Sequence, residues 1–334
     1  MLSEIITQTS ANVREVHKLL VTVLIMSNST PHIAILLCTY NGEQFLKEQL
    51  DSIIAQDYGN FSIWISDDGS KDQTIPILKN YQANLKKIRF SIISGPQVGF
   101  SRNFLSLVCN PEIIADYFSF ADQDDIWAPN KLSRAVNHLK ALPNAVPTIY
   151  CSRTYLIDET GNPIGLSPLF RKKPSFTNAL VQNIGGGNTM VLNKAALSLL
   201  RSVGIKPIVS HDWWSYLLIT GAGGTLSYDP TPTVHYRQHN SNLIGSNRSQ
   251  RLSLMRIKGL LNGRFKLWNT TNTQVLLTFK HLLTSENRRT LEEFSRARNR
   301  WLIPRIWGVI KSGVYRQTLT GNLGIILATV LKKI

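Results

Sequence analysis

The chain is short of acid, of cysteine and of long apolar runs, and each shortage removes a class of protein. Its 334 residues hold 21 Asp+Glu against 37 Lys+Arg, a formal net charge of +16. The three cysteines, Cys38, Cys109 and Cys151, are odd in number, far apart and set in apolar surroundings. They read as reduced structural thiols in a cytosol, and exclude a disulfide frame or a zinc site. No segment reaches the roughly 20 apolar residues that a membrane-crossing helix needs. "LLVTVLIM" at 19–26 is eight long and has no small-residue cleavage site after it, which argues against a signal peptide. "GNLGIILATVL" at 321–331 is also too short to span. No internal repeat and no low-complexity tract interrupts the chain. What is present, 43% hydrophobic residues including 9% aromatics, is the composition of a folded protein with enough chain for a full core.

The positive charge is concentrated. Residues 246–334 carry 17 Lys+Arg and 3 Asp+Glu, whereas residues 1–245 are nearly neutral, with 20 basic and 18 acidic side chains. A balanced body with a basic tail calls for a polyanionic partner: a nucleic acid or an anionic membrane face.

Apolar runs and helical periodicity alternate. "HIAILLCTY" (32–40), "FSIWISDD" (61–68), "IRFSIIS" (88–94) and "ADYFSFAD" (115–122) predict strands, the first with the continuous apolar character of a strand buried on both faces. Helices are predicted after each. Asn41 with Gln44 and Ser70 with Gln73 have capping spacing, and Pro129 opens the helix "NKLSRAVNHLKAL". Further strands are expected near 148–157, 188–192, 225–229 and 232–237, helices near 194–202 and 212–221, and mostly helix beyond 245. Strands alternating with helices mean βαβ units and a parallel sheet, whose ligands sit at the carboxyl ends of the strands. The polar clusters "TYN", "SDDGS" and "ADQDD" all fall at such ends.

"ADQDD" puts Asp122, Asp124 and Asp125 within four positions of an acid-poor chain. Oxygen ligands suit Mg²⁺ or Mn²⁺, which bind through one or two carboxylates and the phosphates of a substrate. A solvated turn that caps the next helix is the plainer use of such a cluster, and Asp125 fits helix entry ahead of Pro129 equally well. The strand-end position and the two neighbouring clusters favour a cation site, with Asp124 first and Asp122 second as ligands. Asp67 and Asp68 need partners if both are buried, because an unpaired buried carboxylate is costly. Asp212 suits a helix start as well as a catalytic role, and Trp213 and Trp214 suit the core as well as a sugar platform.

In order, "IAILLCTYNGEQFLKEQLDSIIAQDY", "FSIWISDDGSKDQT", "GFSRNF" and "FADQDDIWAPNKL" resemble the nucleotide-binding half of a family 2 glycosyltransferase, over about residues 32–140. "GGGNTMVLNK" (185–194), "SHDWWSYLL" (210–218) and "VHYRQHNSNLIG" (234–245) resemble its rhamnosyltransferase branch. The resemblance implies an α/β, GT-A-type, mostly parallel sheet flanked by helices, with a basic helical C-terminal region. It divides the chain into an extension (1–30), a nucleotide-sugar transferase domain (31–245) and a membrane-associating or oligomerising region (246–334).

The same resemblance implies the roles of individual residues. Thr39 and Tyr40, with Asn41 beside them, and Asp68 would contact the donor nucleotide. Arg102 and Asn103 would lie near it. Asp122 and Asp124 would form the D-x-D, with Asp124 on Mg²⁺ or Mn²⁺ and Asp122 serving metal and nucleotide. His239 would be a metal or phosphate contact, and Asp212 the general base. His211 departs from the family pattern, standing where many members carry Glu, so Asp212 is left alone in that role.

The expected reaction is inverting transfer of a sugar, such as L-rhamnose from dTDP-rhamnose or a sugar from a UDP-linked donor. The acceptor is a saccharide or lipid-linked glycan of a surface polysaccharide. A nucleotidyltransferase, or a non-catalytic binder of anionic surfaces with a vestigial site, are the alternatives. "RLSLMRIKGLLNGRFKLW" (251–268) and "RRTLEEFSRARNRWLIPRIW" (288–307) alternate basic and large apolar residues, as helices lying in a membrane interface do. No nucleic-acid-binding module is recognisable. A cytoplasmic protein, peripheral on the inner face of the membrane, is the expectation.

Overall fold

The structure, a computed structural model, describes residues 30–239 and 262–334. The expected N-terminal extension, the "NSNLIG" segment and the first part of the basic run fall outside the described residues. Among those described, nine strands form one sheet. Strands β1 (Ile33–Thr39), β2 (Phe61–Asp67), β3 (Phe90–Ser94) and β4 (Tyr117–Ala121) are parallel, in the order β3-β2-β1-β4. Every residue of β1, β2 and β4 is buried, as continuous apolar runs require.

Beyond β4 the sheet is mixed. Strand β8 (Val191–Asn193) runs antiparallel between β4 and β6 (Thr148–Ile157), and β9 (Thr225–Arg237) lies parallel to β6. Strand β5 (Ile126–Trp127) pairs antiparallel with β9, and β7 (Pro163–Leu166) with the end of β6. The two strands expected over 225–237 are one. A register shift between Ser152 and Thr154 carries the pairing from Asp229 to Val234, so Pro230 and Pro232 fall in the irregular stretch where no ladder donor is needed.

Helices α1 (Leu46–Ile54), α2 (Thr74–Asn84), α3 (Phe100–Cys109) and α4 (Lys131–Lys140) follow the strands, and α5 (Phe176–Ala179), α6 (Lys194–Val203) and α7 (His211–Gly221) complete this part. The first two start later than the capping pairs suggest. Asn41 sits at φ +46° and its Oδ1 accepts the Lys71 N–H, so it is held across to the neighbouring turn. Ser70 donates to Asp67, and the Thr74 N–H is taken by Asp72. Carboxylates are the stronger acceptors, and they outcompete the hydroxyl for these backbone donors.

The chain from 262 on forms α8 (Arg264–Thr278), α9 (Ser285–Asn299), α10 (Leu302–Lys311) and α11 (Leu319–Val330). These helices share one apolar core with α3, α6 and α7. The Asn287 side chain and the Thr284 N–H donate to the carbonyls of Thr220 and Gly221, finishing the last turn of α7. Helix α9 turns Leu291, Phe294 and Ala297 inward. The apolar stripe of α9 is therefore spent on the core, whereas Trp301, Ile303 and Trp307, later in the same 288–307 stretch, are exposed. Among the described residues no helix is long and apolar enough to cross a membrane.

Asp229 pins β9 to α4 and β6. It is 1% exposed and accepts from Arg134 through two nitrogens, from the Tyr150 hydroxyl and from the Thr231 N–H. Burial alone would push its carboxyl up, but these donors hold it below the usual range. Arg134 is one-third exposed, which lets water screen part of the pair. Asp229→Ala is expected to cost about 2–3 kcal/mol in urea unfolding. A loss within 0.5 kcal/mol, roughly that of a neutral surface change, would show that the network contributes nothing.

Candidate active site

The carboxyl ends of β1, β2 and β4 lie side by side: Thr39 is opposite Asp67, and Leu37 is opposite Ala121. This register brings the three polar clusters to one sheet edge. Thr39 is buried and donates its hydroxyl to Asp67 Oδ2 at 2.8 Å. Asp67 also accepts the N–H groups of Gly69 and Ser70, so it closes its own turn. Asp68 takes the N–H groups of Gln97 and Gly99 at 2.6 and 2.9 Å, fixing the loop that enters α3. The two successive aspartates thus have separate structural tasks, and neither is buried without partners.

Gly95 in that loop has no room for a side chain: a Cβ would lie 2.6 Å from Asn103 Oδ1 and 2.8 Å from the Asp67 carbonyl. Asn103 is buried, with its amide bonded to the Ser66 hydroxyl and carbonyl. It stitches α3 to β2. Arg102, its neighbour, is partly exposed on the first turn of α3. Tyr40 is 57% exposed and open to a ligand.

The β4 end is built differently. Gln123 pairs with the backbone of Tyr40, accepting its N–H at 2.8 Å and donating to its carbonyl at 3.0 Å. The D-x-D is thereby clamped to the β1 end by its middle residue. Asp125 is fully buried, bonded to the Asn188 amide at 2.6 Å and the Arg237 N–H at 3.2 Å. It is an internal anchor, without a free carboxylate oxygen facing the edge for a cation or the start of α4. The helix begins after Asn130, with Pro129 ahead of it. Arg237, also buried, donates to the Asp124 carbonyl, the Glu159 carbonyl and the Glu48 carboxylate, and stacks on Phe45. Lys131 lies nearby, buried over the Trp127 ring at 3.7 Å and bonded to Ser119. Burial pushes its pKa down to about 7, against the pull of Asp125. His239 Nε2 is 2.8 Å from Asp124 Oδ2, so these two predicted residues meet.

Asp212 enters from α7. It lies in the first turn, with Oδ1 on the Trp213 N–H and Oδ2 accepting from the Asn183 amide at 2.8 Å. Trp213 and Trp214 are core residues at 6% and 0% exposure, the first donating to the Ala179 carbonyl. His211 is buried against Phe104 at 3.7 Å between ring centroids, with Phe120 edge-on at 4.8 Å. Neither ring nitrogen has a partner among the described residues. Its Nε2 is aimed at Gly187, where a Cβ would come within 2.3 Å. This gives one of the three consecutive glycines a steric reason.

Charge couples the two sides of the edge. Burial first, then the neighbouring charges of Asp124 and Asp212, raise the Asp122 carboxyl to about 8. Asp122, Asp124 and Asp212 therefore share one electrostatic neighbourhood although 90 residues separate the first and last. Among the described residues, no group of three or more His, Cys, Asp or Glu side chains is gathered tightly enough to cage a metal ion. The donors present are the Asp122 and Asp124 carboxylates and the His239 imidazole. That set fits a hard cation that completes its shell with phosphate oxygens from a substrate.

Four parallel strands with an acidic turn at the β4 end, and an acid on α7 in the same neighbourhood, frame the candidate site. Residues 34–198 match the model of Glycosyl transferase family 2. The chain is 33% identical over 237 residues to dTDP-rhamnosyl transferase RfbG of Shigella flexneri, covering 66% of this chain and 80% of that protein. An uncharacterized glycosyltransferase of Rickettsia typhi is 32% identical over 130 residues, 39% of this chain and 38% of its own length. Two solved structures share the fold at 14% identity. S. aureus TarS in complex with UDP-GlcNAc has a TM-score of 0.53, covering 85% of this chain and 93% of that one. The mannosyltransferase PcManGT of Pyrobaculum calidifontis in complex with GDP-Man and Mn²⁺ has 0.51, covering 92% and 86%. The chain belongs to glycosyltransferase family 2.

Gln123, Asn183 and Arg237 carry the site's geometry without having been assigned a site role by the sequence. Gln123 had a usable signal, lying inside the D-x-D. Asn183 lies 29 positions from Asp212 and Arg237 lies 113 from Asp124, with no local pattern to join them.

His211 supplies a pH signature. Burial lowers its pKa from 6.5 to about 4, partly offset by Asp212. The unfolded chain therefore takes up a proton below pH 6.5 that the native site refuses until about pH 4. Stability from the neutral ring is complete above 6.5 and is lost as pH falls toward 4. Between about pH 7.5 and 5, wild type is expected to lose about 2 kcal/mol more than His211→Phe in urea melts. Parallel losses would mean that the ring is not held neutral.

Proposed function

We propose that this glycosyltransferase is an inverting, metal-assisted enzyme that moves L-rhamnose from dTDP-rhamnose to a saccharide acceptor of a cell-surface polysaccharide. The observation that carries the reaction is the convergence of Asp122, Asp124 and Asp212 from β4 and α7 on one neighbourhood at the sheet edge. The donor rests on the likeness to a dTDP-rhamnosyl transferase over most of both chains.

In this reading Thr39, Tyr40, Asn41 and Asp68 form the nucleotide pocket, with Arg102 at its rim and Asn103 holding α3 beneath it. Asp124, Asp122 and His239 hold Mg²⁺ or Mn²⁺ together with the donor diphosphate. The cation, when bound, neutralises charge that develops on the leaving nucleoside diphosphate. Asp212 accepts the proton of the attacking acceptor hydroxyl. Asn183 holds one oxygen of that carboxylate and the Trp213 N–H the other, so its orientation is set before the acceptor arrives. One displacement at the anomeric carbon inverts it, and no covalent sugar–enzyme intermediate is required. The basic C-terminal region keeps the enzyme peripheral on the anionic inner face of the cell membrane, where lipid-linked glycan acceptors are found.

Asp212→Asn is expected to lower transfer at least about a hundredfold, the scale of removing a general base, while dTDP binding stays intact. Asp124→Ala is expected to abolish the Mn²⁺-dependent part of the thermal shift given by dTDP. Wild-type turnover in Asp212→Asn would remove the base assignment. Nucleotide shifts indifferent to chelator would remove the metal. Pyrophosphate release in place of a nucleoside diphosphate would instead identify a nucleotidyltransferase.

A further inference from the structure

Helix α11 is apolar on the side that faces water. Leu319, Leu323, Ile326, Leu327 and Val330 are 42–82% exposed and recur at the spacing of one helical face. Its opposite side, Ile325, Ala328 and Thr329, is buried on the protein. Helix α10 repeats the arrangement, with Val309 inside and Ile303, Trp307 and Ile310 each more than 60% exposed. Trp301, just before α10, is 68% exposed. An open groove between the two helices is lined by Ile306, Ile310 and Ile326. A helix apolar all round belongs inside a protein or against lipid, and scattered exposure does not produce a two-helix patch of this kind.

The charges around the patch select its partner. Residues 294–334 contain eight Lys/Arg and no Asp or Glu. Arg296, Arg300, Lys311 and Lys332 are exposed. A second copy of this chain would bring cation to cation across the contact. An anionic lipid leaflet would meet the same cations with its headgroups, the leucines and isoleucines with its acyl boundary, and Trp301 and Trp307 at the level where tryptophan settles.

We propose that the exposed faces of α10 and α11 lie in the plane of an anionic bilayer surface. This rests on the peripheral-membrane reading above and, within the 288–307 stretch that the sequence suggests, places the surface on α10 and not α9, with α11 added. The turn between the two helices is hydrogen-bonded to the 172–182 stretch that leads to Asn183. The Tyr315 carbonyl accepts from Asn178, the Gln317 N–H donates to Gln182, and Lys172 and Gln317 exchange two bonds. Asn183, the residue after Gln182, holds Asp212. The lipid-facing helices and the proposed base are thus both tied to the 172–183 stretch, an arrangement that suits a membrane-borne acceptor.

Flotation of the full chain with phosphatidylcholine vesicles, with and without phosphatidylglycerol, tests this. Wild type should float with the anionic vesicles and be released by high salt. The triple variant Leu323→Glu, Ile326→Glu, Leu327→Glu should float about tenfold less or worse, with unchanged melting temperature because all three side chains are exposed. Bromolipid quenching should report Trp301 and Trp307 as the difference between wild type and Trp301→Ala/Trp307→Ala. A triple variant that floats like wild type overturns the surface assignment and leaves the membrane reading standing. Wild type that floats with neither vesicle overturns both. Wild type that sediments as a dimer, with the triple variant monomeric and neither bound to vesicles, makes the occupant a second copy.

Discussion

Like charges crowded at one end of a sheet are the constraint on which the rest of this structure depends. Asp122, Asp124, Asp125 and Asp212 crowd one end of the sheet, burial and like charge raise the Asp122 and Asp125 carboxyls, and the protein handles each aspartate in its own way. Asp125 is surrendered to the interior, held by Asn188 and the Arg237 backbone, with Lys131 buried nearby. Asp124 meets His239. Asp212 is steadied by an amide and its own helix terminus. Asp122, left with burial and two like-charged neighbours, holds its proton near neutrality. That leaves an edge whose unmet demand is for positive charge, which a divalent cation would supply.

The scaffold beneath is correspondingly rigid. Arg237 ties the acidic turn to the chain on either side through Glu48 and Glu159. Gln123 locks the turn to Tyr40, and Asp68 locks the α3 entry loop. His211 fills an aromatic socket beneath Gly187, next to Asp212 in the chain. These contacts fix the orientation of the candidate site residues in advance.

Much of this was legible in sequence. The doubly buried strands announce themselves as unbroken apolar runs, and three polar clusters at their ends mark the site's edge. The division of labour among the aspartates was not legible. Asp122, Asp124 and Asp125 are equivalent as letters, and what separates Asp125 is a contact with a residue 112 positions away. Capping pairs misled for the same reason: Asn41 and Ser70 answer each other's turn across two strands. In the basic region, periodicity marked α9 as amphipathic but said nothing of which partner its apolar side meets. Helix α11 is apolar on every side, so no pattern within it distinguishes the inner face from the outer.

The bonds from Thr284 and Asn287 to the end of α7 carry a lesson about where this enzyme can be cut. The family match stops at residue 198, before the helix that bears Asp212 has begun. That helix in turn closes on residues more than 60 positions downstream of its last turn. A shortened gene product ending soon after β9 would keep the acidic residues of the candidate site yet strip the Gly221 carbonyl at the foot of α7 of the donors from Thr284 and Asn287. Transplanting this half onto another tail would call for a substitute side-chain amide and backbone N–H at that joint.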